Sequence, residues 1–361
     1  MLKTIKALAL AGAMLPLAQG AAAQPAGAGT FVEVPGGKLW TQTCGTGPQA
    51  MVLLHDGMLH SIGWDDVWPA LCKSFHVVRY DRRGYGRSPE AKAAYSEVED
   101  VAAVMRAAGM DHAVIVGASH GGGIAIDFTL AHPEQVDRLV AVGPEVSGLP
   151  RSQHFLDRTA ESMAKMGHLD LMGAIKSSWE LAPGHTAMAN RLLGLLLANS
   201  QDLSHRDPAT PPPPAAPRLG AIKVPTLVIT GESDVADNQA QAGVVEYAVP
   251  GARRVVVRDA AHLVFIEQPA EFAGLVTRFA QERPDAAAPG AEEALARDRG
   301  GPGRRHRLQP HGPGGGRRDT RAQRRDPGHF RQARPAQVSD LPGQGRAGRR
   351  HLSGRVREGQ D

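Results

Sequence analysis

The chain has 361 residues, of which 42% are hydrophobic, 22% charged and 4% aromatic, a balance that excludes whole-chain disorder and a fibrous repeat. Its formal charge of +4 is unevenly placed: residues 285–361 hold 17 Arg, no Lys and 9 acidic residues, whereas residues 1–284 carry 24 basic and 28 acidic residues. The body is therefore mildly acidic, the basicity belongs to the tail, and no nucleic-acid partner is expected of the body.

The first residues read as an export leader. Lys3 and Lys6 precede an apolar run from Ala7 to Ala18, and Ala21 and Ala23 form an A-x-A site for cleavage before Gln24. Residues 1–23 are expected to be a signal peptide, and the mature chain to be periplasmic or secreted. The run is shorter than the roughly 20 residues that a bilayer requires, and Pro, Gly or charge interrupts every later apolar run, so no membrane span is expected after Gln24.

Two short segments, Thr30 to Val34 and Leu39 to Cys44, flank Pro35-Gly36-Gly37 and predict an antiparallel hairpin. Val- and Ile-rich runs then recur at Met51 to Leu54, His76 to Tyr80, Ala113 to Gly117, Arg138 to Gly143, Thr226 to Thr230 and Arg254 to Val257. Near-continuous β-branched runs of this length suit strands covered on both faces. Helix-like segments alternate with them at Trp64 to Cys72, Tyr95 to Ala108, His120 to Ala131, Asn238 to Ala248 and Ala270 to Gln281. The alternation predicts an α/β fold, a mostly parallel twisted sheet with helices on both faces.

The rhythm stops between Val146 and Leu219, where Met-, Leu- and Ala-rich segments end at the Pro211 to Pro214 run. This stretch, residues 146–219, is expected to be a helical cap inserted between a first core part, 24–145, and a second, 220–284. Its place is above the carboxyl ends of the strands, where open α/β sheets bind ligands. The apolar run Leu192 to Ala198 must be buried against something. Beyond it, Arg297 to Asp361 contains only Leu308, Phe330, Val338, Leu341, Leu352 and Val356 as large apolar side chains. Such a segment cannot offset its ordering entropy, so residues 285–361 are expected to be a disordered Arg/Gly/Pro-rich tail. The abrupt loss of Lys is also the pattern that out-of-frame translation of a GC-rich gene produces; a polyanion-binding arm is the competing reading.

The strand Ala113 to Gly117 runs directly into Gly117-Ala118-Ser119-His120-Gly121 and then into an apolar helix. This is G-x-S-x-G in a strand, turn, helix context, which exposes the Ser119 hydroxyl on a strained turn. A hydroxyl needs a His to take its proton and a carboxylate to orient that His. Asp234 stands at the end of the strand Thr226 to Thr230, and His262 follows the last strand, so both partners occur in the order Ser, Asp, His.

Here the chain resembles the α/β-hydrolase superfamily, from about Phe31 to Arg283. Three further stretches carry the resemblance: Tyr80-Asp81-Arg82-Arg83-Gly84-Tyr85-Gly86-Arg87-Ser88, Pro225 to Asp234, and His262 to Pro269. The resemblance implies a catalytic triad of Ser119, Asp234 and His262. It also implies an oxyanion hole made by the backbone N–H groups of Met58, in His55-Asp56-Gly57-Met58, and of His120. Asp56 departs from the commoner His-Gly-Gly pattern, and its carboxylate is required to point away from the oxyanion. Glu145 and Asp237 compete with Asp234 for the acid; His55 is read as a brace for its loop.

The implied activity is hydrolysis of a small or medium carboxylic ester or related acyl bond, with no cofactor and no metal. Ser at the elbow argues against the haloalkane dehalogenase and epoxide hydrolase branches, and the absence of Gly-Gly-Pro-Gly after His55 argues against proline iminopeptidases. Lactonase, C–C hydrolase and cofactor-free haloperoxidase activities reuse the same triad, and a slow or non-catalytic ligand-binding relative is the reading from another class. Trp64, Trp68 and Trp179 are candidates for the pocket wall, with core packing the commoner fate of a Trp. Cys44 and Cys72 are both expected at the end of the sheet away from the chemistry, and in an oxidising compartment they are expected to pair.

Overall fold

A computed structural model describes residues 29–167, 175, 180–198 and 208–282. The expected export leader, Trp179 and the Arg-rich tail lie outside the described residues. Eight strands form one sheet: β1 (Thr30–Val34), β2 (Gly37–Cys44), β3 (Ala50–Leu54), β4 (His76–Tyr80), β5 (Ala113–Ala118), β6 (Val136–Val142), β7 (Thr226–Gly231) and β8 (Arg253–Val257). Their order is β1-β2-β4-β3-β5-β6-β7-β8. The first two strands pair antiparallel, as the Pro-Gly-Gly turn requires, and β2 is antiparallel to β4; every later pairing is parallel.

The helices are α1 (Trp68–Cys72), α2 (Glu97–Ala107), α3 (His120–Ala131), α4 (Gln153–Gly167), α5 (Thr186–Ala198), α6 (Ala236–Ala248), α7 (Val264–Glu267) and α8 (Pro269–Gln281). Side chains alternate across each strand, so the sheet divides the interior into two cores. Met51, Leu53, Val114, Val116, Val140 and Ile229 pack with α1 and α8 on one face, while Val52, Leu54, Ile115, Leu139, Ala141 and Val228 pack with α2, α3 and α6 on the other. Trp64 and Trp68 belong to the first core: the Trp64 ring centroid lies 4.3 Å from that of Phe265 and 6.0 Å from that of Phe272.

The 146–219 stretch contributes α4 and α5. In α5, Leu192 and Leu195 are buried in the first core while Leu197 is 67% exposed, so the apolar run is buried along one side only. Cys44 and Cys72 form a disulfide with Cα atoms 5.4 Å apart. Cys44 ends β2 opposite Val77 near the start of β4, which places the bond at the amino ends of the parallel strands. Among the described residues no helix is long and apolar enough to cross a membrane.

Candidate active site

Ser119 joins β5 directly to α3 with φ 53° and ψ −115°, a left-handed conformation that a side-chain-bearing residue rarely adopts. Three hydrogen bonds hold it. The Ser119 N–H donates to Val142 O (2.8 Å), and its carbonyl accepts from Gly123 N and Glu145 N (3.1 Å each). The turn is tight enough that a Cβ on Gly117 would overlap the Gly121 carbonyl oxygen, and one on Gly121 would overlap the carbonyls of Leu54 and His55. The two glycines of the motif are therefore steric requirements of the strand-to-helix crossing.

Asp234 follows β7, and His262 stands in the loop between β8 and α7. The Nδ1–H of His262 donates to Asp234 Oδ2 at 3.0 Å, and both side chains are almost wholly buried. Asp234 Oδ1 accepts from Val235 N and from Asn238 Nδ2, 2.8 Å each. Gly143, at the end of β6 with φ 46°, leaves room for this pair: a Cβ there would lie 3.0 Å from the imidazole and 3.2 Å from Asp234 Oδ2. Burial pulls the His262 pKa down, but the adjacent Asp234 carboxylate, with Glu180 and Asp56 farther off, more than offsets it and the net shift is upward.

Ser119 and His262 line one cavity of about 420 Å³. Its walls include Gly57 and Met58 after β3, Arg82 and Tyr85 after β4, His120 and Glu145, and Phe155, Thr159 and Ser162 of α4. The insert therefore forms one side of the chamber. Trp64 and Trp68, candidates for this wall by sequence, sit in the core instead.

Neither competing acid meets His262. Glu145 Oε2 accepts from His120 Nδ1 (2.9 Å) and its Oε1 from Arg151 (3.1 Å), while Asp237 accepts from the Ser152 N–H and hydroxyl. His55 is a brace, as read: its Nδ1–H donates to Asp56 O (2.8 Å) and its Nε2 accepts the Arg82 N–H (3.0 Å). That arrangement requires a neutral ring, and burial together with the Arg82 charge holds its pKa well below the usual value.

The oxyanion loop differs from expectation at one donor. The Met58 N–H is already engaged by Asp56 Oδ1 (2.7 Å), which also accepts the Leu59 N–H (2.9 Å). Asp56 at this position folds the loop into a side-chain-capped turn, and Met58 is the residue that turn uses. Gly57 lies between them on the cavity wall, and a Cβ on it would be 3.7 Å from that of His120. Tyr85 steadies this strand of the loop by donating its hydroxyl to Gly57 O (3.0 Å).

Sequence reading missed a charged network beside the nucleophile. His120 Nε2 donates to Glu97 Oε2 (3.1 Å), Arg82 donates to Glu97 Oε1 (2.9 Å), and Arg151 joins Glu145 to Asn238 (3.1 and 2.8 Å). Both ring nitrogens of His120 thus face carboxylates. Burial opposes its charge, but Glu97 and Glu145 raise the pKa to about 9; the same pairing takes Glu97 and Glu145 down to about 2 against the cost of their burial. The only signal for this in the sequence is a His directly after the Ser.

A parallel sheet carrying a strained Ser between a strand and a helix, with a buried Asp–His pair at its rim, defines an α/β-fold hydrolase. The alpha/beta hydrolase family model matches residues 51–275, and the chain belongs to that family. It is 27% identical over 267 residues to the pimeloyl-(acyl-carrier protein) methyl ester esterase of Edwardsiella ictaluri, covering 68% of this chain and 98% of that one. Among solved structures it resembles the enol-lactonase from Burkholderia xenovorans (TM-score 0.59, 24% identity, 70% of this chain and 100% of that chain). It also resembles Est816, described as an N-acyl homoserine lactone degrading enzyme (TM-score 0.56, 28% identity, 69% and 100%).

Proposed function

We propose that the protein is a serine hydrolase of small or medium carboxylic esters or lactones, acting through an acyl-enzyme on Ser119. The observation that carries this reading is the buried His262–Asp234 hydrogen bond of 3.0 Å on the wall of the cavity that Ser119 also lines. His262 takes the Ser119 proton as the oxygen attacks the carbonyl, and the imidazolium formed is held by Asp234. The same proton passes to the departing alkoxide, leaving the acyl group on Ser119. Water, deprotonated by His262, then attacks that ester and regenerates the hydroxyl.

The tetrahedral oxyanion is assigned to two backbone donors, one at the start of α3 and one in the loop after β3. One is His120 N–H; the other is Gly57 N–H, in place of Met58, whose N–H serves the Asp56 turn. Each donor is worth about 3 kcal/mol in the transition state. Residues 146–219 act as a cap: Phe155 with Leu263 and Met58 offers apolar surface to the acyl or alcohol part. The activities named for the Edwardsiella relative and for Est816 support an ester or lactone bond. Export to an oxidising compartment is part of the same proposal, supported by the leader pattern and consistent with the Cys44–Cys72 pair.

The test is a panel of p-nitrophenyl esters of rising chain length with a set of lactones, run beside fluorophosphonate labelling. The wild type is expected to label and to turn over at least one member. Ser119→Ala is expected not to label and to lose about 10⁴-fold or more in kcat. Folded wild-type protein that neither labels nor hydrolyses any member overturns the reading.

A further inference from the structure

Glu267 ends the short helix α7, and its side chain is wholly excluded from solvent. A carboxylate in such a place is costly unless hydrogen bonds offset the lost hydration. Here three donors converge on its two oxygens. Oε2 accepts the N–H of Ala261 (2.7 Å), the residue before His262. Oε1 accepts the N–H of Ala182 (2.7 Å) and the Nδ1–H of His185 (2.8 Å), both from the insert. The insert returns the contact through its backbone, because Glu180 O accepts the N–H groups of His262 and Leu263, 3.1 Å each.

One carboxylate therefore joins two segments that are far apart in the chain, the insert at 180–185 and the loop that carries the imidazole. We propose that Glu267 is a positioning residue that makes the seating of the insert and the alignment of His262 a single event. Glu180 lines the cavity together with His262 and Leu263, so the contact that seats the insert and the imidazole that works in the chamber share one wall. The alternative is a carboxylate that merely satisfies buried N–H groups. That alternative predicts a stability loss with unchanged chemistry, whereas the coupling predicts a loss in the proton-transfer step. The proposal rests on His262 being the base.

Glu267→Gln keeps the volume and one acceptor oxygen but turns an NH₂ donor towards an N–H donor. Its kcat on the best ester is expected to fall about 10- to 100-fold with KM little changed, because a displacement of about 1 Å in a catalytic group costs that much. The fluorophosphonate labelling rate is expected to fall in step. His185→Ala, a partly exposed position, removes one insert-side donor and is expected to show the same split at smaller amplitude. Amide hydrogen exchange adds a readout independent of turnover: residues 180–185 and 261–263 are expected to lose protection together in either variant.

A folded Glu267→Gln protein with wild-type kcat and labelling rate, or with only one segment deprotected, overturns the proposal. If that variant does not fold, unchanged kcat and exchange in His185→Ala does so. If wild-type protein neither labels nor turns over, the hydrolase reading falls, and joint or separate deprotection still decides the coupling.

Discussion

The residue after the nucleophile carries more of this site than its backbone. His120 is 40% exposed to the cavity side and is held between Glu97 and Glu145, each lowered to about 2, with its own pKa raised to about 9. The pH dependence follows from the signs. The two carboxylates add stability above their unfolded pKa near 4.5 that is lost as pH falls towards about 2, and the imidazolium adds stability below about 6.5 that is lost as pH rises through about 9. The network is thus at full strength between about pH 4.5 and 6.5 and weakens towards pH 9. His120→Gln is expected to remove most of the alkaline decline in thermal stability between pH 7 and 10, measured as Tm against pH. A decline identical to wild type would place the titration elsewhere.

At the scale of elements, the β5–α3 junction was legible because its constraint is local. Gly117, Ser119 and Gly121 stand at fixed spacing, and the crossing of strand and helix leaves no room for a Cβ at either glycine. Gly117→Ala is expected to cost about 3 kcal/mol or more, since the atom it would meet is backbone and cannot step aside. Urea unfolding reads this directly, and a loss below 1 kcal/mol would mean that the turn relaxes more easily than its geometry implies. The insert is the opposite case. Its helices α4 and α5 were expected only as helical character between residues 146 and 219, because each has to bury its apolar side against the rest of the protein and no fixed spacing says where.

For the whole molecule, the Cys44–Cys72 bond closes a loop of sequence separation 28 at the end of the sheet opposite the cavity. Constraint of the unfolded chain over that length is worth about 3 to 4 kcal/mol. Replacing both Cys by Ser is expected to lower Tm by about 10 °C. Ester turnover well below the transition is expected to stay unchanged, because neither Cys lines the cavity. A fall in kcat at 25 °C in the folded variant would show that the two ends of the sheet are mechanically linked.

The strands, the hairpin and the elbow were settled by the chain alone, because each depends on neighbours a few positions away: β-branched runs, Pro35-Gly36-Gly37, and glycines flanking a Ser. Ser119, Asp234 and His262 could be picked out for a similar reason, each lying just beyond a recognisable strand. Only tertiary structure decided which carboxylate meets His262, that both ring nitrogens of His120 face carboxylates, and that Glu267 binds the insert to the histidine loop. These outcomes depend on where buried donors and acceptors find partners once the chain has folded. A side chain's hydrogen bonds to residues 23 to 85 positions away leave no periodic trace in the sequence.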